Sequence, residues 1–282
     1  MNVRVSSYMT TNVLTVNPDD SVALARRIMV EKGVCRLVVI DGDERPVGIL
    51  TMNDIAGALY SRFTARRASQ IKVSEIMTRN PVTIEARRSV RTAASLMMKY
   101  GVSSLPVVDA QGRLTGLLTK TSIVRAFRDR MRGEYRVGDV MRTNFARVQR
   151  DHNIYYVAKL LNIDEAGKVL VFDGDRLIGV ISKKDLQFIT GAPRAFNVIR
   201  GRLASIYAGG SSRKPSLPPL LAEEVMTPHP LTIEPDRDAA EAADTMVAEG
   251  VGVLPVLDGG RVVGVVSKND IVKVVAARRR PR

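Results

Sequence analysis

The chain has no tryptophan, one cysteine and two histidines in 282 residues, and each scarcity removes a class of function. A single cysteine, Cys35, cannot close an internal disulfide. His152 and His229 stand far apart without a metal-ligand spacing, so no metal site is expected. No apolar run reaches the roughly eighteen residues a membrane span requires, and the N-terminus, with Arg4 and the polar pair Ser6-Ser7, lacks a hydrophobic leader. A cytoplasmic protein with no membrane contact is the expectation. Phosphate-binding Gly-x-x-x-x-Gly-Lys loops, His-Glu-x-x-His pairs and Gly-x-Ser-x-Gly nucleophile turns are missing too, so the chain reads as a protein that is not an enzyme and carries no prosthetic group.

Acids are also in deficit, with 29 Asp and Glu against 43 Lys and Arg and a net charge of +14. That sign favours polyanions, which include nucleic acid, acidic proteins and nucleotides, without choosing among them. At 45% hydrophobic residues the chain is long enough for two ordinary domains with sizeable cores.

What is present is a fourfold repeat. The repeats open with Val5 to Thr10, Val73 to Thr78, Val137 to Arg142 and Ala222 to Thr227, and each opening carries a methionine: Met9, Met77, Met141 or Met226. A short strand follows (Val13 to Val16, Val82 to Ile84, Ala146 to Val148, Leu231 to Ile233), and then an amphipathic helix. In the second repeat the helix face is Val90, Ala93, Ala94, Met97 and Met98; in the fourth it is Ala239, Ala242, Ala243, Met246 and Val247. Gly33, Gly101 and Gly250 fall where a helix C-terminus wants a left-handed residue. Two strands joined by turns such as Asp41-Gly42-Asp43 and Asp173-Gly174-Asp175 complete the order strand, helix, strand, strand, helix.

Each repeat closes on one heptapeptide: Gly48 to Asp54, Gly116 to Ser122, Gly179 to Asp185 and Gly264 to Asp270. A hydroxyl residue followed three positions later by an acid resembles a capping box, with Asp for the usual Glu, so both groups have a structural use at the helix start. The same free amides and hydroxyl suit a phosphate, and an acid beside them suits the two hydroxyls of a ribose.

The order of elements, the Met-Thr openings, the run Gly101 to Asp109 and the closing heptapeptides resemble the cystathionine-β-synthase (CBS) domain, in four copies at about residues 5–60, 73–128, 137–190 and 221–276. The resemblance implies an α+β fold of four β-α-β-β-α repeats paired into two Bateman modules, residues 1–135 and 136–282, similar to the nucleotide-sensing gamma subunit of AMP-activated protein kinase. Residues 191–220 form a long linker in which Phe196 to Ile199 and Leu203 to Tyr207 suit a helix.

In this family a cleft is built from the early part of one copy and the closing heptapeptide of its pair mate. Carried over, Thr51 and Asp54 face Val102-Ser103-Ser104; Ser182 and Asp185 face Val251-Gly252-Val253; Ser267 and Asp270 face the third copy. The remaining cleft has Thr119 but Ser122 in place of the acid, and is expected to be the poorest. Arg36 is assigned to it, at a position similar to that of phosphate-contacting arginines, and Lys168 matches Arg36 in the third copy. The ligands implied are AMP, ADP, ATP or S-adenosylmethionine, and the output is regulation of an enzyme or transporter partner, with a homodimer as a further assembly. The alternative is a basic scaffold or nucleic-acid-binding protein, motivated by Arg62, Arg66 and Arg67, by Arg125, Arg128, Arg130, Arg132 and Arg136, and by the tail Arg278 to Arg282.

Overall fold

The computed structural model describes residues 3–60, 66–164, 166–183, 185–186 and 220–277, so the helix expected in 191–220 lies outside the described residues. The first repeat comprises β1 (Thr15–Val16), α1 (Val22–Glu31), β2 (Arg36–Ile40), β3 (Pro46–Thr51) and α2 (Met52–Tyr60). The second opens with the single turn α3 (Val73–Ile76) and β4 (Thr78–Arg79), then continues as β5 (Ile84–Glu85), α4 (Val90–Lys99), β6 (Ser104–Val108), β7 (Leu114–Thr119) and α5 (Lys120–Arg130). The third has α6 (Val137–Val140), β8 (Ala146–Gln149), α7 (Ile154–Ile163), β9 (Lys168–Asp173) and β10 (Arg176–Ser182). The fourth has α8 (Ala222–Val225), β11 (Thr227–Pro228), α9 (Ala239–Ala248), β12 (Val253–Asp258), β13 (Arg261–Ser267) and α10 (Lys268–Ala276).

The long opening helices start where a side chain takes over an orphan amide. Ser21 accepts from Leu24 N, Ser89 from Thr92 N, Asn153 from Tyr156 N and Asp238 from Ala240 N. The left-handed glycines stand as expected, with φ of 63° at Gly33, 65° at Gly101 and 68° at Gly250. Two local expectations change. The opening strands are shorter than the sequence suggests in every repeat but the third: the first is Thr15–Val16 alone, where a tight turn from Thr11 O to Val13 N precedes it. In the first hairpin the positive φ, 58°, falls on Glu44 and not on Gly42, because the loop runs from Asp41 to Arg45 and places its left-handed residue last. Asp41 Oδ1 fixes that loop by accepting from Asp43 N and Arg45 N.

Within each sheet the last two strands are antiparallel, while β1, β5 and β8 join parallel. Pairing of repeats is reciprocal. β4 of the second repeat adds antiparallel to β3 of the first, and Thr10 of the first bridges Leu117 of the second. Likewise β11 adds to β10, and Arg142 bridges Val265. The methionine of each opening lies against the glycine of its mate's heptapeptide: Met77 on Gly48, Met9 on Gly116, Met226 on Gly179 and Met141 on Gly264. A Cβ on Gly264 would sit 2.8 Å from Arg142 O, which is why this position is glycine.

The described residues divide into two compact units, those within 3–135 with 238–250 and 268–277, and those within 136–237 with 251–267. Within the first unit α9 packs against α5, and α10 against α4 and α5. In the second unit β9 shows the strand alternation at work. Val169 and Val171 pack with Val157 and Leu161 of α7, while Leu170 and Phe172 point the other way onto Val253 and Val265 of the fourth repeat's sheet. The first repeat's core is Val16, Val22, Ala25, Met29, Leu37, Val39, Leu50 and Ile55. No helix among the described residues is long and apolar enough to cross a membrane.

Candidate functional site

The closing heptapeptides form the expected helix starts, and the details show which oxygen of the acid the capping uses. Thr51 N and Oγ1 both donate to Asp54 Oδ2, at 2.7 and 2.6 Å, and Asp54 N donates back to Thr51 Oγ1 at 3.3 Å. In the third repeat Ser182 N and Oγ donate to Asp185 Oδ2, each at 2.6 Å. One carboxylate oxygen thus does all the capping, and the other, Oδ1, makes no hydrogen bond among the described residues in either repeat. In the second repeat the same box is built without an acid: Ser122 N donates to Thr119 Oγ1 at 3.2 Å and Thr119 N to Ser122 Oγ at 3.3 Å. A hydroxyl suffices for the helix, so capping alone does not call for Asp54 or Asp185.

In the first unit the capping hydroxyl of Thr51 has a cation opposite it. Arg36 opens β2 directly opposite Thr51, and its Nη1 donates to Ser103 Oγ of the second repeat at 3.1 Å. Ser103 O in turn accepts from Lys120 N at 3.1 Å, so Thr51, Arg36, Ser103 and Lys120 form a continuous line across two repeats. Arg36 was expected in the cleft of Thr119 and Ser103 in that of Asp54; the Arg36 guanidinium contacts Ser103, which directly precedes Ser104, the strand partner of Thr119. Lys120, which the sequence reading passed over, reaches Asn269 Oδ1 at 2.6 Å, and Lys268 reaches Thr121 Oγ1 at 3.2 Å. Its signal was a lysine directly after the hydroxyl in three of the four heptapeptides: Lys120, Lys183 and Lys268. Burial pushes the Arg36 guanidinium below its ordinary pKa, with Cys35 acting in the other direction. Lys120 is lowered by burial and then by the charge of Arg36.

The second unit repeats the arrangement. Lys168 opens β9 opposite Ser182, as Arg36 stands opposite Thr51, and a Cβ on Gly252 would lie 3.5 Å from Lys168 Cε. Gly252 holds the place of Ser103. The passage from α7 to β9 in the third repeat is tied to that repeat's opening, where arginine replaces the threonine of the other repeats. Arg142 Nη1 and Nη2 donate to Asp164 Oδ1 and Oδ2 at 2.7 and 3.2 Å, and Asp164 Oδ2 also accepts from Ala166 N and Lys168 N, both at 3.0 Å. The Asp164 side chain is 4% exposed.

Ser122 is 1% exposed, with Arg125 Nη2 lying 3.4 Å from its Oγ. Ser267 ends β13 in the second unit and Asp270 lies in the first turn of α10 in the first unit, and both are buried. Of the basic runs, Arg62 and Arg278 to Arg282 lie outside the described residues. Arg66 pairs with Glu75 at 2.6 Å, and Arg128 with Asp129 and Asp244 at 2.8 and 3.2 Å, so part of that charge is neutralised internally.

The family model for the CBS domain matches residues 5–61, 73–129, 137–188 and 222–277. An uncharacterized protein of Methanocaldococcus jannaschii, MJ1225, is 24% identical over 94% of this chain and 95% of its own length. Its crystal structure, described as that of a proposed archaeal homologue of the AMPK gamma subunit, superposes with a TM-score of 0.75 over 96% of this chain and 99% of that one. An uncharacterized conserved protein of Pyrococcus horikoshii superposes with a TM-score of 0.69 at 20% identity, over 97% of this chain and all of that one. An inosine-5'-monophosphate dehydrogenase of Korarchaeum cryptofilum is 37% identical over 43% of this chain, but the match spans only 23% of that enzyme. With four matched copies covering most of its length, and the fold they specify, the chain belongs to the CBS domain family.

Proposed function

We propose that this chain is a non-enzymatic regulatory sensor. It binds adenine nucleotides, or a related adenosyl ligand such as S-adenosylmethionine, in clefts between paired repeats, and passes occupancy to a partner enzyme or transporter. The observation that carries the reading is the second oxygen of Asp54 and of Asp185: capping takes Oδ2 alone, and Oδ1 remains to accept from a sugar diol. Beside each acid a cation, Arg36 or Lys168, opens the neighbouring strand opposite the capping hydroxyl. A ribose on the carboxylate and a phosphate toward the cation satisfy both. The repeat that lacks the acid has its serine sealed and is proposed to bind no nucleoside. Output follows from linkage, since a ligand shifts the arrangement of repeats only by its difference in affinity between two states.

The test is mass spectrometry of small molecules released from purified protein, followed by calorimetric titration with whatever is found. Recovery of an adenosine-containing ligand is expected. Release of none, with no heat from AMP, ADP, ATP or S-adenosylmethionine, removes the sensor reading. Co-purification from the native host identifies the partner.

A further inference from the structure

We infer that Met9, Met77, Met141 and Met226 form an oxidant-responsive modification site: a hydroperoxide converts their thioethers to sulfoxides, and the conversion unclasps the paired repeats. The inference uses none of the nucleoside chemistry proposed above.

Geometry carries it. Each of the four methionines stands one residue before the point where its opening bonds to the mate's strand. Met77 precedes Thr78, which pairs with Ile49, and Met226 precedes Thr227, which pairs with Val180. Met9 precedes Thr10, which exchanges backbone bonds with Leu117 at 2.8 and 2.9 Å; Met141 precedes Arg142, which does the same with Val265 at 2.9 and 3.0 Å. The thioethers lie over bare glycine. A Cβ on Gly116 would sit 2.7 Å from Met9 Sδ and one on Gly264 2.9 Å from Met141 Sδ, while those on Gly48 and Gly179 would be closer still to Met77 and Met226. Each sulfur thus occupies the space of a missing side chain, at the seam that joins two repeats.

Access and chemistry follow from the same placement. All four residues are half-buried, whereas the core methionines Met29, Met97 and Met246 are at most 1% exposed, so an oxidant in solution meets the clasp before the core. The sulfur lone pair takes one oxygen from the peroxide: the O–O bond breaks, an S–O bond forms, sulfur loses two electrons, and hydrogen peroxide leaves as water. The product is larger and polar where the thioether was apolar and close-packed. Its oxygen finds no idle amide at the seam, because Thr10 N, Leu117 N, Arg142 N and Val265 N are already engaged. It either stays without a donor or pushes the opening off the strand, and both outcomes weaken pairing. Methionine sulfoxide reductases return the sulfide, which makes the modification reversible.

The experiment treats the full chain with hydrogen peroxide for increasing times, in a Cys35→Ser background that removes the exposed thiol. Peptide mass spectrometry reads the sulfoxide at each methionine, and thermal unfolding followed by circular dichroism reads the stability of the same samples. Sulfoxide is expected on the four clasp residues ahead of Met29, Met97 and Met246. The thermal midpoint should fall in step with it, by roughly 5–10 °C when all four are converted, the size expected of overpacking at several positions. Met9→Leu with Met77→Leu, and Met141→Leu with Met226→Leu, keep side-chain volume and should each remove about half of that fall. Leucine at Met98 and Met131, which are half-buried away from the seams, should leave it intact. Should a leucine pair fold poorly, the time course on the parent still decides, since it sets the midpoint against sulfoxide at each position. Three results would overturn the inference: clasp methionines unmodified while Met98 and Met131 oxidise, clasp sulfoxide with the midpoint within about 1 °C of untreated protein, or both leucine pairs losing as much stability to peroxide as the parent.

Discussion

Arg142→Met tests whether the arginine in the third repeat's opening holds the passage from α7 to β9 through Asp164. The Asp164 side chain is 4% exposed and the Arg142 side chain 19%, with two contacts at 2.7 and 3.2 Å, so removing the arginine leaves a carboxylate buried with only two backbone donors. Breaking such a pair from one side costs about 3–5 kcal/mol. Asp164→Asn should cost less, roughly 2 kcal/mol, because its carbonyl oxygen still accepts from the amides of Ala166 and Lys168 and Arg142 keeps its contact with Asn144 O. The double variant should then be more stable than the sum of the two losses implies, with a coupling above about 1 kcal/mol. Urea denaturation of the full chain, followed by far-UV circular dichroism, reads all four corners of the cycle. Single losses under about 0.5 kcal/mol, or additivity within that margin, would refute the argument, since independent sites are additive to about that level.

The same pair predicts a pH dependence. Burial by itself raises the Asp164 pKa, but hydrogen bonds from Arg142 and from the amides of Lys168 and Ala166 outweigh it and hold the group below its ordinary value. A depressed folded-state pKa contributes stability that is complete above the unfolded value of about 3.9 and is lost as pH falls through the folded one. The stability gap between the wild type and Arg142→Met should therefore narrow below about pH 4. Gly264→Ala should destabilise by about 1–3 kcal/mol, because the new methyl would meet the carbonyl of Arg142 at 2.8 Å, a backbone atom that cannot swing aside. Gly179→Ala should cost at least as much in the same denaturation assay, since its new methyl would meet the Cβ of Met226 at 2.9 Å, an atom fixed to the backbone, as well as the atoms beyond it. Thr119→Val should lose about 1 kcal/mol of stability, the worth of an N-cap, because Thr119 Oγ1 accepts from Ser122 N.

Much of this architecture was legible in the sequence, because its signals are local. Helical spacing marked Val90, Ala93, Ala94 and Met97, all of which are buried, and left-handed glycines marked three helix ends. The heptapeptide was legible as a helix cap and as a candidate site, and both expectations refer to one residue because a carboxylate has two oxygens. What could not be read was long-range. The Gly48 and Gly264 positions were visible as a repeating glycine, but its reason, a methionine from the mate repeat pressed against it, lies across the sheet pairing. Arg142 was legible only as the last residue of an opening, and nothing in the sequence joins it to Asp164, 22 positions on. Lys120 escaped notice because its contacts, Ser103 and Asn269, come from a different strand and a different repeat.

The most direct measurement is calorimetry with AMP on Asp54→Asn and Asp185→Asn, singly and together, compared with the wild type. Asparagine keeps an acceptor for the capping amide and hydroxyl while replacing the second oxygen with a donor, so the helix starts survive and only the grip on a diol is lost. The account predicts that each substitution weakens AMP at its own site by roughly tenfold to a hundredfold or more, with little change in urea stability. Identical heats and affinities in wild type and double variant would contradict it, and would leave these carboxylates as helix caps alone.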